Sequence, residues 1–326
     1  MELRRIQATR GGTFFVTLPK TWAVKNGINR GAIVAASEAS NGRLTIDPRY
    51  DLEPTPLEVV IKPSPHLSRE VIGKYLLGYD VIRLEAKDRI TTEQREAVKQ
   101  ASSQLIGLEI MEEDYAKIVM QCLLEPSVLS PEKILRREHL IASSMYRDAV
   151  TALIDRDVQL AKNVVARDNE VDRLYFLLVR ILRTVVQNPS LTEKLKIYPI
   201  DCLDYRLTAS LIESVADQST QIAEDAVRFE DSKLSVESSN ALSEIHKVVY
   251  DSYDDAVTAF FSRNISIADS VREKRATVEE LYHNVESVAS TLPVGSAQNL
   301  ISVVSLINRI YDHSVDISDL TTPRTS

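Results

Sequence analysis

Glycine is scarce in this chain, which argues against a fold built from many tight turns. Only nine glycines are spread over 326 residues. Because glycine supplies the positive φ angles that many turns require, so few of them favour long helices over a large, glycine-punctuated sheet. A chain of this length is also too long for one small core, so two or three domains are expected.

Cysteine pairs and long apolar runs are missing as well. Cys122 and Cys202 lie 80 positions apart, without the CxxC spacing of a zinc site or the cysteine density of a disulfide framework. No apolar run approaches the ~18 residues that cross a bilayer. The N-terminus is basic and mixed, unlike a signal peptide. We therefore expect a cytoplasmic protein without a transmembrane segment.

The two ends of the chain differ in charge. Residues 1–50 carry eight Lys or Arg against three acids, which is +5, so the net charge of −8 leaves −13 for the other 276 residues. A small basic unit joined to a large acidic one indicates that the two ends meet different partners.

Residues 1–50 have the pattern of short strands separated by turns. The predicted strands are "LRRIQAT", "TFFVTLP", "AIVAASEA" and "RLTIDP", and "KTWAVKNGI" is a short helix or turn. The pairs Gly11-Gly12 and Asn41-Gly42 are strong hairpin signals, and Asn26-Gly27 ends the short helix. So small an all-β unit buries little apolar surface alone, so we predict that it dimerises.

Residues 57–125 alternate between strand and helix patterns. They follow a predicted linker, residues 51–56, that contains Pro54 and Pro56. The order of the segments is strand, helix, strand, helix, strand, strand, which predicts a small α/β domain with its helices on one face of the sheet. This domain has no glycine-rich phosphate loop and no recognisable catalytic spacing, so its role stays open.

Long amphipathic helices are predicted from Ser130 onward. Ser130 is a favourable N-cap, and proline suits the first helical position that Pro131 takes. Helix breaks are expected at Asn188-Pro189, at Asp231-Ser232 and at Pro293-Val294-Gly295.

An internal repeat organises this helical part. Residues 148–175 align with residues 255–282 without a gap, and 11 of the 28 positions are identical. Residues 211–222, "LIESVADQSTQI", align with residues 306–317, "LINRIYDHSVDI". The first copy carries about twelve extra residues, 188–199. We therefore predict a tandem pair of three-helix bundles over residues 130–231 and 235–322.

Acidic residues occupy matching positions in the first copy. Two pairs with four-residue spacing are Asp168 with Asp172 and Glu213 with Asp217. Each pair lies on one face of its helix, where like charges repel unless a cation sits between them. If the two faces are adjacent, four carboxylates converge, as in the di-metal sites of helix bundles. Oxygen ligands suit a hard divalent or trivalent ion, with Mg, Mn, Fe and Zn left open. The alternative is a solvated acidic face accompanied by Arg167 and Arg173.

The second copy has a weaker version of this set. Its aligned residues are Arg275, Glu279, Asn308 and Asp312. We expect Arg275 to replace the metal's charge by pairing with Glu279 or Asp312, so Glu279, Asn308 and Asp312 form at most a weaker second metal site. His313 is expected to face solvent or cap a helix.

The helical part resembles the PhoU family of phosphate-uptake regulators. The resemblance is carried by "DNEVDRL" and "IESVADQSTQIAED", and covers about 190 residues because both repeats match in order. It implies an E/DxxxD motif on two helices of each repeat that holds a metal cluster. It also implies joint action with components of a phosphate ABC transporter.

The first 47 residues are similar to the AbrB/SpoVT swapped-hairpin DNA-binding domain. The stretch "GGTFFVTLPKTWAVKNGINRGAIVAASEASNGRLTI" carries this resemblance, which implies interlaced hairpins in a homodimer with a cationic face on DNA. The cluster predicted to contact phosphates consists of Arg4, Arg5, Arg10, Lys20 and Lys25. The combination of both parts resembles archaeal phosphate regulators.

These observations favour a non-enzymatic regulator of phosphate uptake that binds DNA and senses phosphate status through a metal-binding helical part. Two alternatives remain. One is a metal-dependent phosphohydrolase, although the acidic faces contain no histidine and no nucleophile paired with a base. The other is a dimeric interaction scaffold that does not bind DNA.

Overall fold

The computed structural model describes residues 3–38, 42–48, 56–188, 191–228 and 234–323. Its internal contacts divide the chain into two units, Met1–Pro56 and Leu57–Ser326. The predicted linker lies outside the described residues except for Pro56, as does the predicted helix break at Asp231-Ser232.

Among its described residues, the first unit contains two small antiparallel pairs of strands and one short helix. Its elements are β1 (Gln7–Ala8), β2 (Phe14–Phe15), α1 (Lys20–Lys25), β3 (Ala35–Glu38) and β4 (Leu44–Asp47). β1 pairs with β2, and β3 pairs with β4. Gly12 and Gly42 adopt φ angles of 83° and 73° in the turns, which other residues rarely adopt. The paired strands are shorter than the predicted segments because few of their backbone groups find a partner.

This unit has no core among its described residues. None of the side chains described between residues 3 and 48 is buried. Apolar side chains that would normally be inside are open to solvent instead: Phe14 is 74% exposed, Ile33 74% and Val24 70%. Two-stranded hairpins of this kind are marginally stable alone, and exposed apolar side chains of this kind are typical of a contact surface.

An α/β layer begins the second unit. It consists of β5 (Glu58–Ile61), α2 (Leu67–Leu76), β6 (Val81–Glu85), α3 (Thr92–Ser103), β7 (Leu108–Glu113) and β8 (Lys117–Cys122). The strand order is β5-β6-β8-β7. β5 and β6 are parallel, with α2 as the crossover, and the other pairs are antiparallel. Apolar residues such as Val71, Ile82 and Met120 have no exposed surface and form the core of this layer.

Four helices form the first helical repeat. They are α4 (Pro131–Asp155), α5 (Val158–Gln187), α6 (Leu191–Leu195) and α7 (Asp201–Arg228). Ser130 caps α4 by accepting a hydrogen bond from the Lys133 N–H, and Pro131 takes the first turn, as predicted. The short α6 lies in the segment that is inserted relative to the second repeat. The three long helices α4, α5 and α7 pack against one another as a bundle.

The second repeat differs from the predicted three helices. It contains α8 (Val236–Ser262), α9 (Ile265–Glu273), α10 (Arg275–Ser290) and α11 (Val294–Asp319). The prediction of one continuous second helix is therefore wrong, because the structure divides this segment into α9 and α10 at Lys274. The Lys274 N–H bonds to the carbonyls of Val271 and Arg272 and so leaves the i→i−4 pattern. The Lys274 ammonium lies 2.9 Å from Asp255 Oδ2, which holds the break against α8.

One buried arginine joins the α/β layer to the first bundle. Arg180 of α5 is 1% exposed, and its Nη1 donates to the carbonyls of Tyr75 and Tyr79 at 2.7 and 2.9 Å. Its Nη2 donates to Asp80 Oδ1 at 3.0 Å. Because these bonds end the helix α2 and pair a charge that would otherwise be buried alone, they fix where the layer meets α5.

We predict that Arg180→Met lowers the free energy of unfolding by about 2–4 kcal/mol, because two carbonyls and one carboxylate lose a buried partner. Chemical denaturation of the full chain measures this change. Arg183→Met removes an exposed arginine from the same helix and is the matched control. Equal stability of the two variants would contradict the assignment.

Candidate functional site

The four acids predicted in the first repeat lie on adjoining faces of two packed helices. Asp168 and Asp172 belong to α5, and Glu213 and Asp217 belong to α7. Each helix places its pair one turn apart because the residues are four positions apart. The charges of Asp168 and Asp172 act on Glu213, and the charge of Asp217 acts on Asp172, so the two faces are close in space.

Partial burial makes this cluster electrostatically unfavourable when fully ionised. Burial, followed by the charges of Asp217, Asp172 and Asp168, raises the pKa of Glu213 to about 7. Burial, followed by Asp168 and Asp217, raises the pKa of Asp172 to about 6. The pKa values of Asp168 and Asp217 are also raised, chiefly by burial. Removing water from a carboxylate disfavours its charged form, and a neighbouring carboxylate adds to this effect.

The arginine expected beside the cluster is engaged elsewhere. Arg167 donates from Nη2 to Asp148 Oδ2 at 2.7 Å and from Nη1 to Ser144 Oγ at 3.1 Å, both on α4. Arg173 is exposed. Arg206 is the cation whose charge lowers the pKa of Glu213, and its guanidinium lies 4.6 Å from the centre of the Tyr175 ring. Arg167 is therefore bonded to α4, and Arg173 is the exposed arginine of the solvated-face alternative.

A fifth carboxylate lies beneath the cluster and was missed by the sequence patterns. Glu138 of α4 has no exposed surface. Burial, then the charge of Glu213, raises its pKa well above the ordinary value, and Asp172 also contributes. Its position in the apolar stripe of α4, between the buried Leu135 and Ala142, is a signal that could have found it, because an ionisable residue on such a stripe is unusual.

The donor set matches a hard cation in chemical kind. Carboxylate oxygens are the preferred ligands of Mg²⁺ and Mn²⁺ and also bind iron and zinc. In the described part of the chain, no three Asp, Glu, His or Cys side chains are grouped so that they could hold one metal ion. Binding would therefore require these side chains to converge from their present positions.

The second repeat carries an ion pair at the corresponding place. Arg275 Nη2 lies 3.4 Å from Asp312 Oδ1, and its guanidinium is 5.4 Å from the centre of the Tyr311 ring. Arg275 thus pairs with Asp312, one of its two expected partners. Glu279 and Asn308 complete the aligned set, which contains two acids instead of four.

His313 does not face solvent, so that expectation was wrong. Its side chain is partly buried, and its Nε2 lies 2.9 Å from Gln218 Nε2 of α7. Because an amide nitrogen can only donate, the imidazole nitrogen accepts this hydrogen bond. Burial lowers the pKa of His313. Gln218 and His313 occupy aligned positions of the two repeats, so they meet where α7 packs on α11.

The predicted DNA-contacting cations are all exposed. Arg5, Arg10, Lys20 and Lys25 are open to solvent, and Lys20 and Lys25 are the two ends of α1. Arg4 is also exposed and donates from Nη1 to Thr17 Oγ1 at 3.4 Å. Exposed cations of this kind are available to an anionic partner.

A mostly apolar cavity of about 470 Å³ lies away from the carboxylates. Its wall includes Leu153, Ala226, Leu300 and Val303, from the ends of α4 and α7 and from α11. The candidate acids described above do not belong to this wall, so the chemistry of the cluster does not depend on it.

We predict that Asp172→Asn/Glu213→Gln stabilises the metal-free protein more at pH 7 than at pH 4. Both raised pKa values mean that the folded state binds protons more tightly than the unfolded state between about pH 4 and about pH 7. Wild type therefore loses stability across this window as the pH rises, and the neutral variant does not.

Denaturation of both proteins in chelator at several pH values measures this difference. Comparing them cancels the opposite contribution of His246, whose pKa burial lowers to about 4. Glu170→Gln, which removes a partly exposed carboxylate of α5 that pairs with Arg137 outside the cluster, is the matched control. A constant difference between variant and wild type from pH 4 to pH 7 would refute the coupling.

None of the helices in the described ranges combines the length and apolarity that a bilayer crossing requires.

Comparison with known proteins identifies the helical repeats. A protein-family model described as "PhoU domain" matches residues 135–226 and again residues 242–321. A curated relative from Aquifex aeolicus (strain VF5), named as a phosphate-specific transport system accessory protein PhoU homolog, is 28% identical over 173 residues. That match covers 52% of this chain and 74% of the relative.

Two crystal structures share the fold. PhoU from Pseudomonas aeruginosa superposes with a TM-score of 0.54 at 20% identity, covering 59% of this chain and 93% of that protein. The phosphate transport system regulatory protein PhoU from Streptococcus pneumoniae gives a TM-score of 0.51 at 15% identity, covering 59% and 91%. The domain model covers both helical repeats, which together make up more than half of the chain, and the chain therefore belongs to the PhoU family.

Proposed function

We propose that this protein regulates phosphate uptake, binding DNA through residues 1–50 and a metal ion through its carboxylate cluster. Membership of the PhoU family supports the regulatory role. The named relatives are an accessory protein and a regulatory protein of phosphate transport systems. By analogy, components of a phosphate ABC transporter are the partners of the helical part, and the protein acts as a regulator rather than an enzyme.

The metal proposal rests chiefly on one observation, which is the cluster of four like charges in the first repeat, where Asp217 is exposed and the other three acids are partly buried. The ligands would be Asp168, Asp172, Glu213 and Asp217. A bound cation supplies positive charge that removes their mutual repulsion and can attract an anion such as phosphate. The chain's contribution is to hold two pairs of acids on two helices whose packing fixes their separation.

The DNA proposal rests on the exposed cations and on the absence of buried side chains among the described residues of 3–38 and 42–48. An AbrB/SpoVT-like swapped hairpin would cover the apolar side chains of one subunit with those of a second copy, which supports a homodimer. The same arrangement would place Arg4, Arg5, Arg10, Lys20 and Lys25 twice on one assembly. Clustered Lys and Arg side chains give phosphate contacts whose strength falls with salt.

A phosphohydrolase remains the second candidate because of Glu213. A carboxyl with a pKa of about 7 is suited to general acid–base catalysis near neutral pH. Metal-dependent phosphatase activity that is lost in Asp168→Ala would favour this candidate over a purely regulatory site.

We predict that Arg4→Ala/Arg5→Ala/Arg10→Ala weakens DNA binding and lowers the salt slope of log K by about 3, because each phosphate contact contributes about one. Fluorescence anisotropy with duplex DNA over a series of salt concentrations measures both quantities. Lys62→Ala/Lys87→Ala/Arg89→Ala removes three exposed cations outside the first unit and is the control. Wild-type affinity in the first variant would rule out this interface, and absence of DNA binding at low salt would favour the scaffold.

We predict that protein purified without chelator contains stoichiometric metal that is lost in Asp172→Ala/Asp217→Ala. Elemental analysis of the purified protein measures the metal. Glu279→Ala/Asp312→Ala changes the aligned acids of the second repeat and should keep the metal of the first. Metal-free wild type would instead support a solvated acidic face.

A further inference from the structure

Glu138 is a buried carboxylate for which the described residues provide no partner. Its side chain has no exposed surface, and neither Oε1 nor Oε2 accepts a hydrogen bond within the described ranges. An ionised carboxylate buried without a partner costs several kcal/mol, so burial raises the pKa of Glu138 and favours its neutral form. A bound cation would stabilise the ionised form instead.

The cations nearest to Glu138 in sequence are already engaged. Arg136 pairs with Glu132 at 2.8 Å, and Arg137 pairs with Glu170 at 2.5 Å. His139 Nε2 lies 3.1 Å from Asp254 Oδ1 on α8. The helix that carries Glu138 therefore directs its positive groups away from this carboxylate.

The groups that face Glu138 are themselves acidic. Glu213 of α7 and Asp172 of α5 both act on it with like charge, and Arg206 offsets them only in part. On the α8 side lies Tyr253, a fully buried residue whose hydroxyl also has no hydrogen-bond partner among the described residues. Three helices of the first bundle thus carry carboxylates that act on one another electrostatically, with Glu138 buried and Glu213 and Asp172 partly exposed.

The two repeats differ at the position of Glu138. This difference is expected if Glu138 binds a metal ion in the first repeat only. The residue aligned with Glu138 is Ile245, which is also fully buried. The repeat with four clustered acids has the fifth carboxylate, whereas the repeat that carries Arg275 has an apolar side chain instead. The buried carboxylate is therefore present in the repeat that lacks an arginine at the position of Arg275.

We propose that Glu138 is an inner ligand of the metal site, so that a hard divalent cation is bound by carboxylates from α4, α5 and α7 together. This inference rests on the metal site proposed above and extends it from the surface of two helices into the bundle. One cation would compensate Glu138, Glu213 and Asp172 at once, as carboxylates of facing helices do in di-metal bundles. Because α4 also packs on α8, metal binding would stiffen the contact between the two repeats.

The test uses full-length protein stripped of metal and titrated with MnCl₂ by calorimetry, together with the melting temperature before and after Mn²⁺ addition. We expect Glu138→Gln to weaken Mn²⁺ binding by at least about 10–100-fold, which is the loss that even residues hydrogen-bonded to the metal ligands cause. The metal-free variant should melt no lower than wild type, because it loses a buried carboxylate without a partner. A residue that only fills space would lower the melting temperature and leave the affinity unchanged.

Glu138→Ile is the second variant, because the second repeat uses isoleucine at this position and shows that the helix packing accepts it. Glu170→Gln, which changes a partly exposed acid of α5 that pairs with Arg137, is the control and should bind Mn²⁺ as wild type does. Wild-type affinity in a folded Glu138→Gln or Glu138→Ile protein would overturn the inference while leaving the four-carboxylate site intact. Absence of Mn²⁺ binding in wild type would overturn the inference and the proposed metal site together.

Discussion

Repulsion among partly buried carboxylates is the constraint on which the first helical repeat depends. Packing of α4, α5 and α7 removes water from these acids and brings like charges together. Such packing is favourable only because many apolar contacts surround it: Val164, Val171, Ile212 and Val215, which have no exposed surface, lie on the same helices. The bundle therefore holds carboxylates whose ionised forms repel one another, and a bound cation would remove that repulsion.

The neighbouring parts of the molecule attach to the helices that carry these charges. Arg180 fixes the α/β layer to α5, the helix of Asp168 and Asp172. The two repeats meet through α4 and α8, where Tyr146 stacks edge-on against His246 and His139 against Tyr253. These pairs are related by the repeat, because each histidine meets the other repeat's tyrosine. Each of these contacts therefore involves a helix, α5 or α4, that also carries at least one of the carboxylates.

The two repeats differ in how the negative charge at the aligned acidic positions is balanced. In the second, Arg275 stands at the position of Asp168 and pairs with Asp312, so the acid there has a covalently attached counter-charge. The residue aligned with Glu138 is Ile245, so this repeat has a buried apolar side chain instead of a buried carboxylate at that position. The second repeat thus pairs an acid at this place with an arginine of its own, whereas the first repeat has four acids at the aligned positions and no arginine among them.

The amino-acid sequence by itself determined the duplication, the helical repeats and the two acidic pairs on α5 and α7, because periodicity and spacing are properties of single helices. Only the tertiary structure decided which helices face one another. It placed Glu138 beneath the acids, buried His313 against Gln218 and divided the second repeat's middle helix at Lys274. These features depend on contacts between residues far apart in the chain, and a one-dimensional pattern does not contain those distances.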